Sequence, residues 1–360
     1  LSFASFSNLQ SLDNAASALN GVRPSIRTSS TEVGAFFEEI YNMPLKDFQN
    51  SMIQISGDIH GQVSNSVFSD IEISQASTIN QFTRNRSNAR VWFDVKDFTS
   101  TQRASVKSIG SSSNGTGLEI GKNWQSDDGS SIGASLLFSE QDLFSISGTA
   151  EISSATSNFF FSKATKEHEI NHMMSLSNVN AVTARKVQLD SMLNSHSSSY
   201  DFHSFSARSE YGRKLKSSSD MELKSYFGLS HQVLFANSFV EDGSAISKLS
   251  GKKENLEQTQ ISIRQETVLN RKLFGADSQF FFSSGIQKKI LNLNSKKNRS
   301  VSLHGAHWDV GSVNAQKFVV DLEAEMRIKL FETVSLNAGI SKHQSSRSVN
   351  SLNFSVSGSF

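Results

Sequence analysis

From about residue 86 onward, hydrophobic and polar residues alternate in segments separated by clusters of Gly, Ser, Asn and Asp. A period of two residues is typical of a β-strand with one apolar and one polar face. The clearest segment runs from Val320 to Leu330, where every second residue is apolar. The residues between them are all charged: Asp321, Glu323, Glu325, Arg327 and Lys329. This segment therefore predicts a strand with one apolar face and one charged face.

Twelve segments of this kind follow one another along the chain. We predict strands near residues 88–99, 114–125, 130–140, 151–165, 167–178, 199–213, 219–233, 257–270, 274–288, 316–329, 331–343 and 347–360. The last one ends in SLNFSVSGSF, whose alternate residues are Leu352, Phe354, Val356, Gly358 and Phe360. The residues between them are Ser or Asn. This segment too predicts a strand with one apolar face.

The connections between the predicted strands alternate between short and long. SDDG at 126–129 and RKL at 271–273 are short, whereas the gaps after the first, fifth, seventh and ninth segments are much longer. No proline follows Pro44, which suits ladders that need every backbone N–H. Short turns at one end and long loops at the other are typical of a transmembrane barrel, whose closure pairs all backbone groups in lipid. We therefore predict an all-β transmembrane barrel of twelve antiparallel strands, with apolar faces toward lipid and polar faces toward the lumen.

The first 85 residues have helical spacing instead. Helices are predicted within residues 8–20 and 30–43, and a longer one from Leu45 to about Gln81. The longer helix contains Gly57 and Gly61 among many Ser and Asn residues, and each glycine costs about 1 kcal/mol relative to alanine. Such a helix needs support from outside, and close hydrophilic walls would supply it.

Composition agrees with an inverted protein that is polar inside. Apolar residues make up 37% of the chain and charged residues 19%, both below the usual globular values. The net charge of +1 gives no indication of a nucleic-acid partner. The absence of cysteine excludes a disulfide framework and fits passage through an oxidising compartment such as the periplasm. The chain contains no run of 18 apolar residues, so the sequence predicts no membrane-spanning helix.

The segment MIQISGDIHGQVSNSVF at 52–68 resembles the Ser-Gly-Glu-Ile-His-Ala-Ser helix that precedes the translocator barrel of autotransporters, the type V secretion proteins of Gram-negative bacteria. The residues at the motif positions are Ser56, Gly57, Asp58, Ile59 and His60. Further stretches resemble the family in the same order: NLQSLDNAASALN at 8–20, ARVWFDV at 89–95, GLEIGKNWQSDDGSSIGASLLFS at 117–139 and SYFGLSHQVLFANSFVEDGS at 225–244. The chain departs from the pattern at Asp58, Gly61 and Gly358, where Glu, Ala and often an aromatic residue are expected.

The resemblance implies an outer-membrane barrel with the N-terminal helix threaded through its lumen. Residues 1–44 would then link to a passenger, 45–85 would form the lumenal helix and its connection, and 86–360 the barrel. The barrel would export and anchor this passenger at the cell surface, with Leu352, Phe354, Val356, Gly358 and Phe360 as the signal for the barrel-assembly machinery. Periplasmic chaperones, the lipid bilayer and lipopolysaccharide are the other implied partners, and a monomeric barrel is expected. The basic cluster NSKKNRS at 294–300 is a candidate lipopolysaccharide contact.

Candidate chemistry gives no sign of an enzyme. Ser56, Asp58 and His60 lie two residues apart, so on a helix they point to different sides and form no catalytic triad. On a strand, His168 and His172 would be about 13–14 Å apart, too far for one metal ion. We expect no catalytic residues, no cofactor, no metal site and no self-cleavage within the chain. Interfacial aromatic residues are expected among Trp92, Trp124, Trp308, Phe98, Phe138 and Tyr200, although the parity of Trp92 directs it inward.

Two other function classes remain open from the residues alone. A different outer-membrane barrel, such as a passive channel or a surface hydrolase, is disfavoured by the N-terminal helix. A secreted β-rich adhesin is disfavoured because no unit of 20 to 50 residues repeats along the chain.

Overall fold

In the computed structural model, twelve long antiparallel strands form a closed barrel. The structure describes residues 15–20, 31–85, 90–104, 109–126, 128–189, 192–290, 299–310, 318–331, 333–344 and 347–359. Numbered with all strands of these residues in chain order, the barrel strands are β1 (Arg90–Gln102), β2 (Ser111–Gln125), β3 (Ser130–Ser145), β4 (Gly148–Ala164), β5 (His168–Leu189), β6 (Met192–Ser217), β7 (Met221–Ala236), β11 (Glu254–Leu273), β12 (Ala276–Ile290), β15 (Val319–Lys329), β16 (Val334–Gln344) and β17 (Arg347–Ser359).

Pairing of the first strand with the last closes the barrel. β1 and β17 pair antiparallel from Arg90↔Ser359 to Gln102↔Arg347, and each other barrel strand pairs with its sequence neighbours in the barrel. Closure leaves no free edge in the membrane, where an unpaired backbone group would cost several kcal/mol. The predicted twelve-stranded antiparallel barrel is confirmed.

The outer wall is apolar and the inner wall polar, as expected for a barrel in lipid. Outward-facing side chains that are exposed include Phe93, Val95, Leu118, Leu136, Phe138, Phe159, Met174, Leu176, Phe227, Leu229, Ile263, Phe282, Leu322, Ile340 and Phe354. Trp124 is also exposed on this wall. Trp92 is fully buried and faces inward, as its parity predicted.

The two ends of the barrel differ in their connections. At one end, the inner end, each connection has at most four residues, such as 126–129 and 274–275. The opposite, outer end carries the long connections 237–253 and 291–318. Because transmembrane barrels have short periplasmic turns and longer external loops, the outer end faces the outside of the cell.

The long loop predicted after the fifth strand is wrong. β5 continues to Leu189 and β6 begins at Met192, and the two strands pair along their whole length. The residue pattern inverts near Asn178: before it the apolar residues Ile170, Met174 and Leu176 face outward, whereas beyond it the buried inward residues include Val179, Ala181, Val187 and Leu189. Because the apolar residues change from the outward to the inward face while the strand continues, the sequence pattern does not reveal the extension of β5. Beyond Asn178 the outward face of β5 carries Asn180, Lys186 and Gln188 around the exposed Val182. This more polar face indicates that the tip of the hairpin lies outside the lipid.

The predicted long N-terminal helix is divided in two. An outer helix (Leu45–Ile55) is followed by the lumenal helix (Asp58–Arg84), and Gly57 between them has a left-handed φ of 67°. The backbone angle favours glycine, and a methyl group on Gly57 would also lie 2.3 Å from Leu249 Cδ1, so that this leucine side chain would have to move. A further helix occupies Thr31–Asn42. Among the described residues, we find no helix with the length and apolar character needed to span a bilayer.

A small second sheet closes over the outer end. It contains β8 (Phe239–Val240), β10 (Ser250–Gly251), β13 (Arg299–Leu303) and β14 (Ala306–Val310), while β9 (Asp242–Gly243) pairs with β6. We call this sheet, its connecting residues 237–253 and the β5–β6 tip beyond Asn178 the cap. Its hydrophobic core includes Val187, Leu189, Tyr200, Phe239, Leu249, Val301, Leu303 and Trp308.

Candidate functional site in the lumen

The lumenal helix passes through the barrel from the outer end to the inner end. It begins at Asp58 beneath the cap and ends at Arg84, shortly before β1 starts at the inner end. Hydrogen bonds join it to the wall: Gln75 donates to Ser175 (3.2 Å), Thr78 to Glu119 (2.9 Å) and Asn80 to Glu323 (2.8 Å). The polar residues that make this a poor isolated helix are those that the polar wall binds.

At the inner end, one arginine of the helix meets three carboxylates of the wall. The Arg84 guanidinium lies 2.9 Å from Glu266, 2.7 Å from Glu323 and 2.7 Å from Glu325, and its side chain is 2% exposed. Arg327 donates to the Arg84 backbone carbonyl at 2.7 Å. The structure thus brings three of the predicted lumen charges, Glu323, Glu325 and Arg327, to the end of the helix.

The other two predicted lumen charges lie elsewhere. Asp321 accepts hydrogen bonds from Gln287 (2.6 Å) and pairs with His343 (2.5 Å) nearer the outer end. Lys329 is exposed at the inner end of β15. Local pattern alone did not identify Arg84 or Glu266 as members of the inner cluster, since they lie 182 positions apart.

Two aromatic rings support the helix beside this cluster. Phe82 stacks on Phe160 of the wall with centroids 4.6 Å apart and an interplanar angle of 15°. Trp92 packs in the same apolar group and lies over Gly121, where a methyl group would come within 2.1 Å of the indole. The C-terminal end of the lumenal helix is therefore held by both charge and stacking.

At the outer end, the motif histidine enters the cap. His60 Nδ1 lies 3.2 Å from the Tyr200 hydroxyl, and Nε2 lies 2.9 Å from Glu241 Oε1. The ring also packs against Phe239 with centroids 4.1 Å apart. One turn of the lumenal helix is thereby joined to β6 and to the long connection 237–253.

Glu241 receives four hydrogen bonds in this buried place. Arg185 donates from Nε to Oε1 (2.7 Å) and from Nη2 to Oε2 (2.5 Å), the Leu249 amide donates to Oε2 (2.8 Å), and His60 supplies the fourth. Burial alone would raise the pKa of the Glu241 carboxyl, but the hydrogen bonds from Arg185 and His60 hold it at about 2. The carboxylate is thus ionised and joins three segments of the chain.

His60 is neutral in this arrangement. Complete burial lowers its pKa below the usual 6.5, although the hydrogen bond to Glu241 acts in the opposite direction. A neutral ring that donates from Nε2 to Glu241 must accept at Nδ1, so the Tyr200 hydroxyl is the donor there. The three side chains therefore form one directed chain of hydrogen bonds.

The other motif residues serve the same junction. The Ser56 hydroxyl donates to the Ile53 carbonyl (2.7 Å), and the Ser56 carbonyl accepts from the Trp308 indole (2.9 Å). Asp58 accepts from Gln62 one turn later (3.1 Å), and Ile59 is fully buried. The expectation that Trp308 and Tyr200 join an interfacial belt is wrong, because both lie in the cap core, beyond the lipid.

The last strand presents three of the five predicted assembly residues to the lipid side. Leu352, Phe354 and Val356 are 41%, 55% and 45% exposed on the outer wall of β17. Gly358 is buried on the same strand between Val91 and Val334. Phe360 lies outside the described residues, as does most of the basic cluster at 294–300.

The histidines considered for metal binding have other neighbours. His168 stacks on Tyr211 and bonds to its hydroxyl (2.7 Å), while His172 bonds to Ser209 (2.9 Å). Across the described part of the chain, no three His, Cys, Asp or Glu side chains are grouped as metal ligands.

Comparison with known proteins agrees with this geometry. The family model for the autotransporter β-domain matches residues 91–341, well over half of the chain. Among solved structures, the chain is similar to the translocator domain of the autotransporter NalP from Neisseria meningitidis, with a TM-score of 0.67 and 15% identity over 82% of this chain and 98% of that one. It is also similar to the β-domain of the Bordetella autotransporter BrkA, with a TM-score of 0.55 and 11% identity over 76% of this chain and 100% of that one.

Among curated proteins, none is detectably similar to the chain in sequence. At these identities the two structures show the shared fold, and the family rests on the match of its model. The chain belongs to the autotransporter β-domain family and is an outer-membrane barrel that exports a passenger.

Proposed function

We propose that the passenger leaves through the lumen of this same barrel and that the lumenal helix remains behind as a plug. The direction of the helix is the observation that carries the proposal. Residue 58 lies at the outer end, residue 84 at the inner end, and the first barrel strand starts at the inner end. Any chain that precedes the outer helix is thereby on the outer side of the membrane. The lumenal helix is then the one segment of the chain that still crosses the membrane inside the lumen.

The wall suits transport rather than catalysis. Its inward face carries hydroxyl, amide and charged side chains that a passing polypeptide could contact without a strong apolar attachment. The charged lumen residues Asp321, Glu323, Glu325, Arg327 and Lys329 would then serve passage. Glu323, Glu325 and Arg327 would afterwards bind the plug. The motif Ser56, Gly57, Asp58, Ile59 and His60 would seat the plug, and no enzymatic role is proposed for it.

Assembly would depend on the last strand. Leu352, Phe354 and Val356 form an apolar row, which, with Gly358 and Phe360, we propose as the signal for the barrel-assembly machinery after delivery by periplasmic chaperones. Each barrel strand has two partners, so no strand edge remains to pair with a second copy, and this supports the monomeric barrel that we propose. Contact with lipopolysaccharide would fall to the external loops.

The test is surface display of an epitope fused before residue 1, in a chain that is given a secretion signal. Antibody binding to intact cells reports export, and a gel shift on boiling reports the folded barrel. Phe354→Asp should abolish both, because it interrupts the apolar row and places a carboxylate on the lipid face. Asn353→Asp adds a carboxylate at the next position, on the lumenal face, and should leave both unchanged. A folded barrel in the outer membrane whose epitope stays inside would overturn the proposal.

A further inference from the structure

The core of the cap is completed by the chain segment that precedes the lumenal helix. Met52, Ile55 and Ile59 are fully buried within the same apolar core as Leu249 and Trp308. Ser51 donates to the Gln188 carbonyl, and Arg185 donates to the Gln54 carbonyl at 3.0 Å. Residues 51–60 therefore form one side of the cap, whose other sides come from the barrel loops.

The polar partners of the cap also converge on this segment. Glu241 takes one of its four hydrogen bonds from His60, and the Trp308 indole finds its acceptor at Ser56. Without the segment, Glu241 would lose a donor, the Trp308 N–H would be left buried without an acceptor, and the apolar side chains beneath would meet water. Each of these losses disfavours the closed cap.

A closed cap and a passing passenger exclude each other. The outer end is filled by a core whose side chains Phe239, Leu249 and Trp308 are at most 4% exposed. An additional chain has no path through such packing, because protein interiors are close-packed. The loops of the cap must therefore lie apart while a passenger crosses.

We propose that the cap is a lid that closes when residues 51–60 reach the outer end, with the seating of His60 between Tyr200 and Glu241 as the closing contact. This rests on the proposed export through the lumen and adds an order of events to it. Lid closure is the last step. It follows the arrival of residues 51–60 at the outer end and seals the barrel on its outer side. The charged and titratable groups around His60 come from several elements: Arg185 from β5, His196 and Tyr200 from β6, Glu241 from the connection 237–253, and Arg299 from β13.

Engineered cysteine pairs can time the closure, since the native chain has no cysteine. Ser250 of β10 and Ser302 of β13 face each other across the cap sheet with hydroxyls 2.7 Å apart. Ser341 and Ser351 are paired in the same way on β16 and β17 of the wall, with hydroxyls 2.6 Å apart. The double variant S250C/S302C reports the lid, and S341C/S351C is the matched control for a folded wall.

Both pairs are oxidised on intact cells with the membrane-permeable oxidant diamide, in two fusions. One fusion carries a short epitope that is fully displayed, and the other a domain that folds in the periplasm and stalls export. We expect the wall pair to cross-link in both fusions and the lid pair to cross-link only after completed export. Equal cross-linking of the lid pair in stalled and completed molecules would overturn the order of events. A failure of the short epitope to reach the surface would instead count against export through the lumen.

The closing contact is tested in the completed molecule. His60→Leu keeps the size of the side chain approximately but removes the donor to Glu241, so lid cross-linking should fall and ion conductance in planar bilayers should rise. Ser64→Ala is the control, because the Ser64 hydroxyl bonds only to the His60 carbonyl within the same helix among the described contacts. Epitope display should be unchanged in both variants. Unchanged cross-linking and conductance in His60→Leu would show that His60 is not the closing contact.

Discussion

The Trp308 indole in β14 of the cap donates to the backbone carbonyl of Ser56 at 2.9 Å, across 252 positions of the chain. The acceptor precedes Gly57, the one residue at which the chain turns from the outer helix into the lumenal helix. Cap and plug are therefore joined at the bend of the plug.

Removal of this hydrogen bond should loosen the cap and leave the wall of the barrel unchanged. Trp308→Phe keeps an aromatic ring but removes the buried donor, and loss of one neutral hydrogen bond should cost about 1 kcal/mol. The protection of the Leu249 amide against hydrogen exchange should fall about fivefold. Trp124→Phe, at an exposed position on the outer wall, should leave this protection unchanged, and an equal fall in both variants would contradict the assignment.

The left-handed backbone angle at position 57 favours glycine. Gly57→Ala should destabilise the closed cap by roughly 1–2 kcal/mol from the left-handed backbone alone, with a further cost from the clash with Leu249 Cδ1. Hydrogen exchange of the cap amides measures the change. Gly34→Ala is the control, since a methyl group there meets no atom within 4 Å and the residue is helical. It should leave the cap unaffected, and a normal cap in Gly57→Ala would contradict the close packing.

The inner cluster should be the strongest attachment of the plug. Arg84→Met leaves Glu266, Glu323 and Glu325 without their shared cation, and removal of one partner from a buried ion pair costs about 3–5 kcal/mol. This loss of stability is measured by urea unfolding of the detergent-solubilised barrel, monitored through the disappearance of its gel shift. Arg271→Gln breaks an exposed pair with Asp220 at 3.3 Å, and exposed pairs contribute only about 0–1 kcal/mol. Similar losses for the two variants would contradict a buried cluster.

The cap should loosen as the pH falls below 6.5. Burial lowers the pKa of His60 in the folded cap, so below 6.5 the open state binds a proton that the closed state excludes. Stability then falls with pH, by at most about 1.4 kcal/mol per pH unit for one proton. Glu241, whose pKa is lowered from 4.5 to about 2 in the closed cap, is ionised throughout this range, and its contribution is lost progressively as the pH falls from about 4.5 toward 2.

The measurement is the protection of the Leu249 amide against hydrogen exchange between pH 8 and pH 5, corrected for the change of the intrinsic exchange rate with pH. His60→Gln should flatten the dependence because glutamine has no proton to gain in this range, while His196, 3.9 Å from Glu241, leaves a residual slope. His203→Gln replaces an exposed histidine of β6 and should keep the full dependence. A profile that is the same in His60→Gln as in the parent chain would contradict the role of His60.

The sequence by itself determined the barrel. Alternation at residues 320–330 and 352–356 specifies which side chains meet lipid, because in a strand a shift of one residue would reverse every face. Glycines and polar residues at 57–81 likewise indicated a helix that depends on its surroundings. These features are local, so a window of about ten residues contains the information.

Only the tertiary structure decided how the two ends are closed. The partners of His60 are Tyr200 and Glu241, 140 and 181 positions away, and those of Arg84 lie 182 to 241 positions away. Residues 178–189 illustrate the limit most clearly: the apolar face of β5 turns inward there because the strand leaves the lipid and enters the cap core. Which face of a strand is apolar depends on what lies against it, and that depends on parts of the chain far away in sequence.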